Sequence, residues 1–348
     1  MEFSNSSKEI RFFIVLCFVG AAIGLVYTQL VYLSNPENTE GSIWLGFTIG
    51  LWITILSGGL EYFYVSRPFS YFRRIAFLPS LLLRVLLHLI VVILVSTTCQ
   101  TIFGYFRDIT PFFMRPEAVE EITFDTVFAI LIMAVIVFFM QVRSLIGGRQ
   151  MKNLLLGRYH QPSEQEQMFM FVDVANSAAI ASKIGDIAFH RYLNALFVLF
   201  DEEINRQGGE VDSYVGDALI ATWPLQDDQK KNAKIVVSAD NIHRACNKWA
   251  GWFEKEFSVK PAIRIAMHSG KVVVGETGNR KKQITYLGNT VNLTARIEAK
   301  AKELGAETLV SQDLLDHCKL PDGLSVEHVG DFRLKGIAEE ITLYSLAN

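Results

Sequence analysis

The stretch MFMFVDVANSA, residues 168–178, decides how the second half of this chain folds. Its apolar run, 168–172, has the pattern of a buried strand, and Asp173 follows at the point where that strand is expected to end. A carboxylate in this place is either a metal ligand or the cap of a helix that begins near Ser177. The stretch by itself leaves both interpretations open.

A second carboxylate lies in a similar setting in VDSYVGDALIATW, residues 211–223. Gly216 and Asp217 form a predicted tight turn between strands at 211–215 and 218–223, which indicates a β-hairpin. Asp217 is therefore either an ordinary turn residue or a partner of Asp173. Two carboxylates presented in this way supply the hard oxygen ligands that suit Mg²⁺ or Mn²⁺.

The composition divides the chain into two unlike halves. Residues 1–148 are dominated by apolar runs, 149–164 read as a helical linker, and 165–348 have the composition of a domain with its own core. Four apolar stretches reach the roughly 20 residues that a membrane-spanning helix needs. They are 12–33, 43–65, 75–98 and 126–146. The sequence thus predicts an α-helical membrane domain with four spans.

Basic residues in the short connections predict the orientation of these spans. They cluster before the first span, between the second and third, and after the fourth: Lys8, Arg11, Arg67, Arg73, Arg74, Arg143, Arg149 and Lys152. Both termini and the second half are therefore expected on the cytoplasmic side of the inner cell membrane. A cleaved signal peptide is the alternative for the first span, but three further spans follow and no clear small-residue cleavage site ends it.

Charge and cysteine content exclude some classes of partner and stabilisation. The formal net charge of −3 gives no indication of a nucleic-acid partner, and four cysteines without metal-binding spacing imply no disulfide framework. Arg84 and His88 lie four residues apart in the third predicted span. The two residues either form a site for an unknown membrane ligand, or Arg84 simply extends its side chain to the membrane surface. Both interpretations stay open.

A third motif is ITYLGNTVNLTARIEAKA, residues 284–301, which predicts a short strand, a turn at Gly288 and a helix. Asn292 and Arg296 are four residues apart and project from one face of this helix. A guanidinium is suited to phosphate recognition and a nearby amide to holding a sugar oxygen. An exposed helix face with scattered polar residues is the alternative.

Five ordered blocks resemble the catalytic domain of class III nucleotidyl cyclases, the adenylate/guanylate cyclase family. They are FVDV (171–174), SYVGDALIATW (213–223), AIRIAMHSGKVVVGETG (262–278), YLGNTVNLTARIEA (286–299) and FRLKGIAEEITLYSL (332–346). The resemblance covers about residues 165–347 and does not extend to the apolar half. It implies an α+β, ferredoxin-like βαββαβ catalytic domain that follows the membrane domain.

The resemblance also implies roles for individual residues. Asp173, Asp217 and the backbone carbonyl of Val174 would hold two Mg²⁺ or Mn²⁺ ions per active site, and Asn292 and Arg296 would orient the ribose and stabilise the transition state. The triphosphate would be bound by the turn at Ala175, Asn176 and Ser177 and by Arg264 and Lys335. Because family members assemble each site from two subunits, a chain that carries both sets of residues is expected to form a homodimer.

The positions that contact the base depart from the usual pattern. Ser213 stands where ATP-selective members usually carry lysine, and Thr285 stands where they carry aspartate or threonine. The resemblance therefore implies a membrane-bound adenylate cyclase, with a guanylate or pyrimidine nucleotide cyclase as alternatives. Two alternatives are not enzymes. One is a catalytically degenerate nucleotide-binding signalling module, and the other is a channel with a regulatory domain.

Overall fold

The structure is a computed structural model in which the chain forms two compact units, Met1–Leu145 and Ile146–Asn348. It describes residues 7–34, 43–60, 77–106, 131, 134–135, 137–138, 142, 147–157, 160–280, 282–334 and 340–347. Each unit is described below by itself.

The described part of the first unit includes three long helices, which overlap the first three predicted spans. They are α1 (Ser7–Ser34), α2 (Ile43–Leu60) and α3 (Phe77–Phe106). Among the described residues, one stretch, Leu78–Ile102 with a mean hydropathy of 2.6, is long and apolar enough to cross a membrane. Two shorter apolar stretches lie in α1 and α2. The described residues therefore support one spanning helix rather than four, and most of the fourth predicted span lies outside them.

Glycines bring the backbones of α1 and α2 into direct contact. A Cβ atom added to Gly24 would collide with the carbonyl oxygen of Gly46, and one added to Gly50 would collide with the carbonyl oxygen of Gly20. The glycines recur every four residues on each helix, so they form one face. Such small-residue faces let helices approach closely enough for extensive van der Waals contact in an apolar environment.

His88 is buried in α3 and is fixed by its own helix. Its Nδ1 atom lies 2.7 Å from the carbonyl oxygen of Arg84, one turn earlier. A carbonyl can only accept a hydrogen bond, so Nδ1 carries the proton. The proximity of the two residues thus has a structural explanation, and their relation to a membrane ligand stays a prediction.

The second unit is an α+β fold built on a mixed sheet. Its strands are β1 (Ser163–Val174), β2 (Glu210–Val215), β3 (Ala218–Pro224), β4 (Ile263–Thr277), β5 (Gln283–Leu287), β6 (Thr308–Ser311), β7 (Ser325–Arg333) and β8 (Glu340–Ala347). Its helices are α4 (Gly148–Leu155), α5 (Ser177–Ile184), α6 (Asp186–Arg206), α7 (Gln229–Asn232), α8 (Lys234–Phe257), α9 (Asn289–Leu304) and α10 (Gln312–Leu315).

The described strands are arranged in the order β2-β3-β1-β4-β6-β8-β7, and β5 pairs with β4. The first four, with α6 and α8 as crossovers, form the antiparallel β2-β3-β1-β4 core of a ferredoxin-like βαββαβ unit. The predicted catalytic fold is therefore confirmed. β1 lies in the middle of this core, which places Asp173 between two neighbouring strands.

Alternation of side chains along β1 builds two cores, one on each face of the sheet. Met168, Met170 and Val172 point into the larger core, which α6 and α8 cover. Phe169 points to the opposite face, where its ring packs edge-to-face against Tyr286 of β5, with ring centroids 5.5 Å apart. Helix α9 covers the remainder of this second face through Leu293, Ile297 and Ala301.

The linker differs from its prediction in extent. The sequence predicts a helical linker over 149–164, but the helix α4 ends at Leu155. Gly157 follows with a φ of +67°, a conformation that ends a helix and that glycine adopts without strain. Pro162 instead packs against Gly275, next to the first residue of β1.

Candidate active site

The two candidate carboxylates lie at the same edge of the catalytic core. Asp173 pairs with Ala218 in the β1–β3 ladder, and Asp217 directly precedes Ala218 in the chain. The hairpin turn consists of Gly216, with a φ of +64°, and Asp217. The predicted strand end and the predicted hairpin are both confirmed. The register of the two strands therefore brings the carboxylates together.

The surroundings of Asp173 disfavour the negative charge of its carboxylate. Its pKa is raised to about 6, first by burial and then by the negative charges of Glu298 and Asp217. Arg264, opposite Asp173 in the β1–β4 ladder, opposes this shift, and its Nη1 atom lies 3.6 Å from Asp173 Oδ2. A divalent cation would relieve the repulsion among these acids, so the site favours binding one.

Helix α9 presents different chemistry on its two flanks. Ile297 faces the sheet, and successive residues of a helix are separated by about 100°. Arg296 therefore lies on one flank and Glu298 on the other. The flank with Glu298 is the one near Asp173 and Asp217, since Glu298 and Asp217 both raise the pKa of Asp173, and Asp217 also raises the pKa of Glu298. Asn292 and Arg296 thus project away from the carboxylate pair of their own chain.

The flank with Asn292 and Arg296 has polar groups that bind nothing within the described chain. Asn292 is exposed, and the Nη1 atom of Arg296 is buried with no hydrogen-bond partner among the described residues. An unpartnered buried guanidinium nitrogen is costly, and an anionic ligand would satisfy it. These are the properties expected of a phosphate-binding arginine.

The turn after β1 provides a smaller set of amide donors than the sequence predicted. Asn176 adopts a left-handed conformation with a φ of +57°, and α5 begins at Ser177 without a side-chain cap. Asp173 is therefore not the cap of this helix. The Ala175 amide donates to the carbonyl oxygen of Ala262, so it is not available for a phosphate. The amides of Asn176 and of the residues from Ser177 onward remain, at the positive end of a helix.

The candidate base-contact residues come from two elements that pack against each other. Ser213 pairs with Ile220 in the hairpin. Ile220 belongs to the same apolar cluster as Tyr286, the residue that follows Thr285 in β5. The hydroxyl oxygen of Thr285 lies 2.7 Å from that of Thr277. Thr285 can therefore present either a donor or an acceptor to a base.

Two residues of this region were missed by the sequence analysis, and one prediction lies outside the described residues. Glu298 and Lys302 face the carboxylate pair, and Lys302 counteracts the raised pKa values of Asp173 and Glu298. The signal that could have identified them is their spacing. Glu298 and Lys302 are four residues apart, so they share one face of the helix, and Glu298 is two residues after Arg296, so this face differs from that of Arg296. Lys335, predicted to contact phosphate, is not among the residues that the structure describes.

The donor set fits a hard divalent cation that is only partly enclosed by protein. Asp173 and Asp217 supply carboxylate oxygens, and no group of three or more His, Cys, Asp or Glu side chains in the described residues is arranged to hold a metal. Mg²⁺ is commonly bound in this way, by one or two carboxylates with water and substrate phosphates completing the shell.

Comparisons with known proteins place this unit among cyclases. Residues 159–348 match the model of the family described as "Adenylate and Guanylate cyclase catalytic domain". The chain is 31% identical to adenylate cyclase 2 of Rhizobium meliloti over 99% of its own length and 92% of that protein. It is 25% identical to an adenylate cyclase of Anabaena cylindrica over 58% of its own length and 40% of that protein. The first of these similarities extends over both halves of the chain.

The fold is also that of a solved bacterial light-regulated adenylyl cyclase. The two chains superpose with a TM-score of 0.53 at 18% identity, over 63% of this chain and 64% of the other. At this identity the likeness concerns the fold alone.

Proposed function

Because the chain belongs to the adenylate and guanylate cyclase family and is a nucleotidyl cyclase, we propose that it converts ATP to 3′,5′-cyclic AMP and pyrophosphate. In this reaction the ribose 3′-oxygen forms a bond to the α-phosphorus, the bond from that phosphorus to the bridging oxygen breaks, and the hydroxyl proton is released. The reaction needs no side-chain nucleophile, so positioning and charge stabilisation supply the rate.

The observation that carries the proposed mechanism is the division of α9 into two flanks. Glu298 faces the carboxylate pair of its own chain, whereas Arg296, with its unpartnered nitrogen, lies on the other flank. A complete site therefore needs the carboxylates of one copy and the Asn292 and Arg296 side chains of another. Two copies related by a twofold axis would form two equivalent sites.

Each residue then has a separate task. Asp173 and Asp217 would hold Mg²⁺ or Mn²⁺, two ions per site, with the Val174 carbonyl as a further ligand. When bound, these ions would lower the pKa of the 3′-hydroxyl and neutralise phosphate charge. Arg264, the Asn176 amide and the amides from Ser177 onward would bind the triphosphate, and Lys335 is proposed to do so too.

The partner copy would complete the site around the ribose and the α-phosphate. Asn292 would orient the ribose by accepting or donating hydrogen bonds through its amide. Arg296 would stabilise the negative charge that develops on the α-phosphate during attack. Its buried Nη1 atom is preorganised for this because no described group competes for it.

ATP is the proposed substrate because the Thr285 hydroxyl can accept from the exocyclic amine of adenine. The similarity to adenylate cyclase 2 of Rhizobium meliloti over nearly the whole chain supports the same choice. GTP is the second candidate. When the Thr285 hydroxyl accepts a hydrogen bond from Thr277, its own proton can be donated to the guanine oxygen. A pyrimidine triphosphate offers either group as well.

The test is turnover of ATP, GTP, CTP and UTP by the full-length protein in Mg²⁺ and in Mn²⁺. We expect cyclic AMP and pyrophosphate to form at the highest rate, and Asp173→Ala and Asp217→Ala to remove activity while the protein remains folded. Activity that survives in either variant contradicts the metal assignment. Nucleotide binding without pyrophosphate release in the wild type would indicate a degenerate binding module.

The first half is proposed to anchor the enzyme in the cytoplasmic membrane by four spans, with both termini and the catalytic unit on the cytoplasmic side. The apolar stretch Leu78–Ile102 supports anchoring, and the basic connections support this orientation. Reporter fusions after residues 38, 70, 112 and 150 test it. Alternating locations, with positions 70 and 150 cytoplasmic, are expected, and a different pattern would contradict the four-span topology.

A further inference from the structure

A short helix before the catalytic sheet is fastened to the hairpin that carries Asp217. Helix α4 (Gly148–Leu155) is flanked by Gly147 and Gly157, whose φ angles are +93° and +67°. The Nε2 atom of Gln150, in this helix, donates a hydrogen bond of 2.9 Å to Oδ1 of Asp212 in β2. The two residues are 62 positions apart, so this bond ties the linker to the fold.

Asp212 occupies a place where the ladder of β2 and β3 is interrupted. Val211 pairs with Ala221 and Ser213 pairs with Ile220, so Asp212 is the extra residue of a β-bulge. A bulge redirects a side chain away from the regular alternation of a strand. The interruption thus allows Asp212 to meet α4, while the residues after it resume the ladder.

The position of β2 depends on this contact more than the position of an internal strand would, because an internal strand is held by neighbours on both sides. In the described sheet β2 is an edge strand and pairs only with β3. From Ser213 onward it carries the candidate base contact and then the turn with Asp217. A group that restrains the bulge therefore restrains the position of the Asp217 carboxylate relative to Asp173, which lies on the inner strand β1.

We propose that Asp212 is a positioning residue whose hydrogen bond to Gln150 holds the β2–β3 hairpin, and with it Asp217, in the place required for cation binding. The catalytic part of this inference rests on the proposed cyclase function. A displacement of α4 between its two glycines would move the hairpin without unfolding the sheet.

The test is a double-mutant cycle in the full-length protein with Gln150→Ala, Asp212→Ala and both together. We expect each single change to raise the Mn²⁺ concentration for half-maximal ATP turnover about three- to tenfold, less than the full effect of losing a hydrogen bond to a charged group because the bond acts on Asp217 only through the hairpin. The double variant should match Asp212→Ala alone, and Asp212→Asn should recover part of the loss because its amide oxygen still accepts. Additive effects, or unchanged half-saturation, overturn the proposal.

A matched control and a second readout separate this inference from a general loss of stability. Gln312→Ala removes another Gln–Asp side-chain bond, to Asp316, and should leave the half-saturating Mn²⁺ concentration unchanged. Hydrogen–deuterium exchange of the amides at 213–219 should be faster in Gln150→Ala than in Gln312→Ala. This measurement does not require activity, so it tests the restraint of the hairpin even if the wild type cyclises no nucleotide. Absence of cyclisation would contradict the proposed function but not this restraint. Equal exchange in the two variants overturns the coupling.

Discussion

Arg264 and Asp173 face each other on neighbouring strands, with Arg264 Nη1 3.6 Å from Asp173 Oδ2 and both side chains largely buried. The guanidinium thus offsets part of the burial and of the repulsion from Glu298 and Asp217 that disfavour the charge of this carboxylate. In the proposed mechanism a cation takes over this role when it binds Asp173, and Arg264 becomes free to bind the triphosphate. The same pair would therefore link cation binding to substrate binding.

Replacing Arg264 should weaken substrate binding and shift the pH dependence. For Arg264→Ala we expect the KM for ATP to rise about 10- to 100-fold, the loss of a charged hydrogen bond. The acidic limb of the pH–rate profile should move to higher pH, because Arg264 lowers the pKa of Asp173. Steady-state kinetics from pH 5 to 9 measure both. Arg206→Ala, which breaks an ion pair with Glu203 on α6, is the control and should change neither.

Neutralising Asp173 should abolish activity but stabilise the metal-free protein at neutral pH. The pKa of this carboxyl is about 6 in the folded chain and 3.8 as its ordinary value, so its ionisation opposes folding increasingly from about pH 4 and fully above about pH 6. Asp173→Asn should therefore gain about 1–3 kcal/mol at pH 7.5, and the gain should shrink as the pH falls from 6 to 4. Denaturant unfolding in chelator measures it. Asp322→Asn, at an exposed position, should show no such gain.

Two inactive variants should restore activity when they are combined. In a heterodimer of Asp173→Ala and Arg296→Ala one of the two shared sites has all its groups, so the isolated heterodimer should have roughly half of wild-type activity. Co-expression with two affinity tags and an assay of the doubly tagged dimer measure it. Asp173→Ala combined with Asp217→Ala should stay inactive, because both sites then lack a carboxylate. Rescue in the control pair, or none in the first, contradicts a shared site.

The contact of α1 with α2 should not tolerate a side chain at Gly50. A Cβ there meets the backbone of Gly20, whereas one at Gly59 of the same helix meets nothing within 4 Å. Gly50→Ala should cost about 1–3 kcal/mol through overpacking. Gly59→Ala should be neutral or gain up to about 1 kcal/mol from helix propensity. Thermal unfolding of the full-length protein in detergent compares them, and equal melting temperatures would contradict the close contact.

Replacing Thr285 should reduce the selectivity for the base without abolishing it. Thr285→Ala should change the ratio of ATP to GTP turnover by about 1–3 kcal/mol, because a hydrogen bond to the base is lost while cyclisation chemistry is retained. Competition between the two nucleotides measures the ratio. Thr342→Ala, which removes a hydroxyl bonded to Asp331, is the control. An unchanged ratio in Thr285→Ala would mean that other residues select the base.

Local patterns in the sequence determined the elements that carry the site. The apolar run before Asp173 specified a strand, Gly216-Asp217 specified a hairpin turn, and the spacing of Asn292 and Arg296 specified a helix face, because each depends on residues close together in the chain. The order of these elements and the resemblance they carry were sufficient to predict the catalytic fold.

The tertiary structure alone decided how the elements meet. Strand register brought Arg264 beside Asp173, and the packing of Ile297 on the sheet turned Glu298 toward the carboxylates and Arg296 away from them. The bond from Gln150 to Asp212 likewise joins residues that no local pattern relates. These relationships are set by contacts between distant segments, and the burial that raises the pKa of Asp173 exists only once those segments have packed.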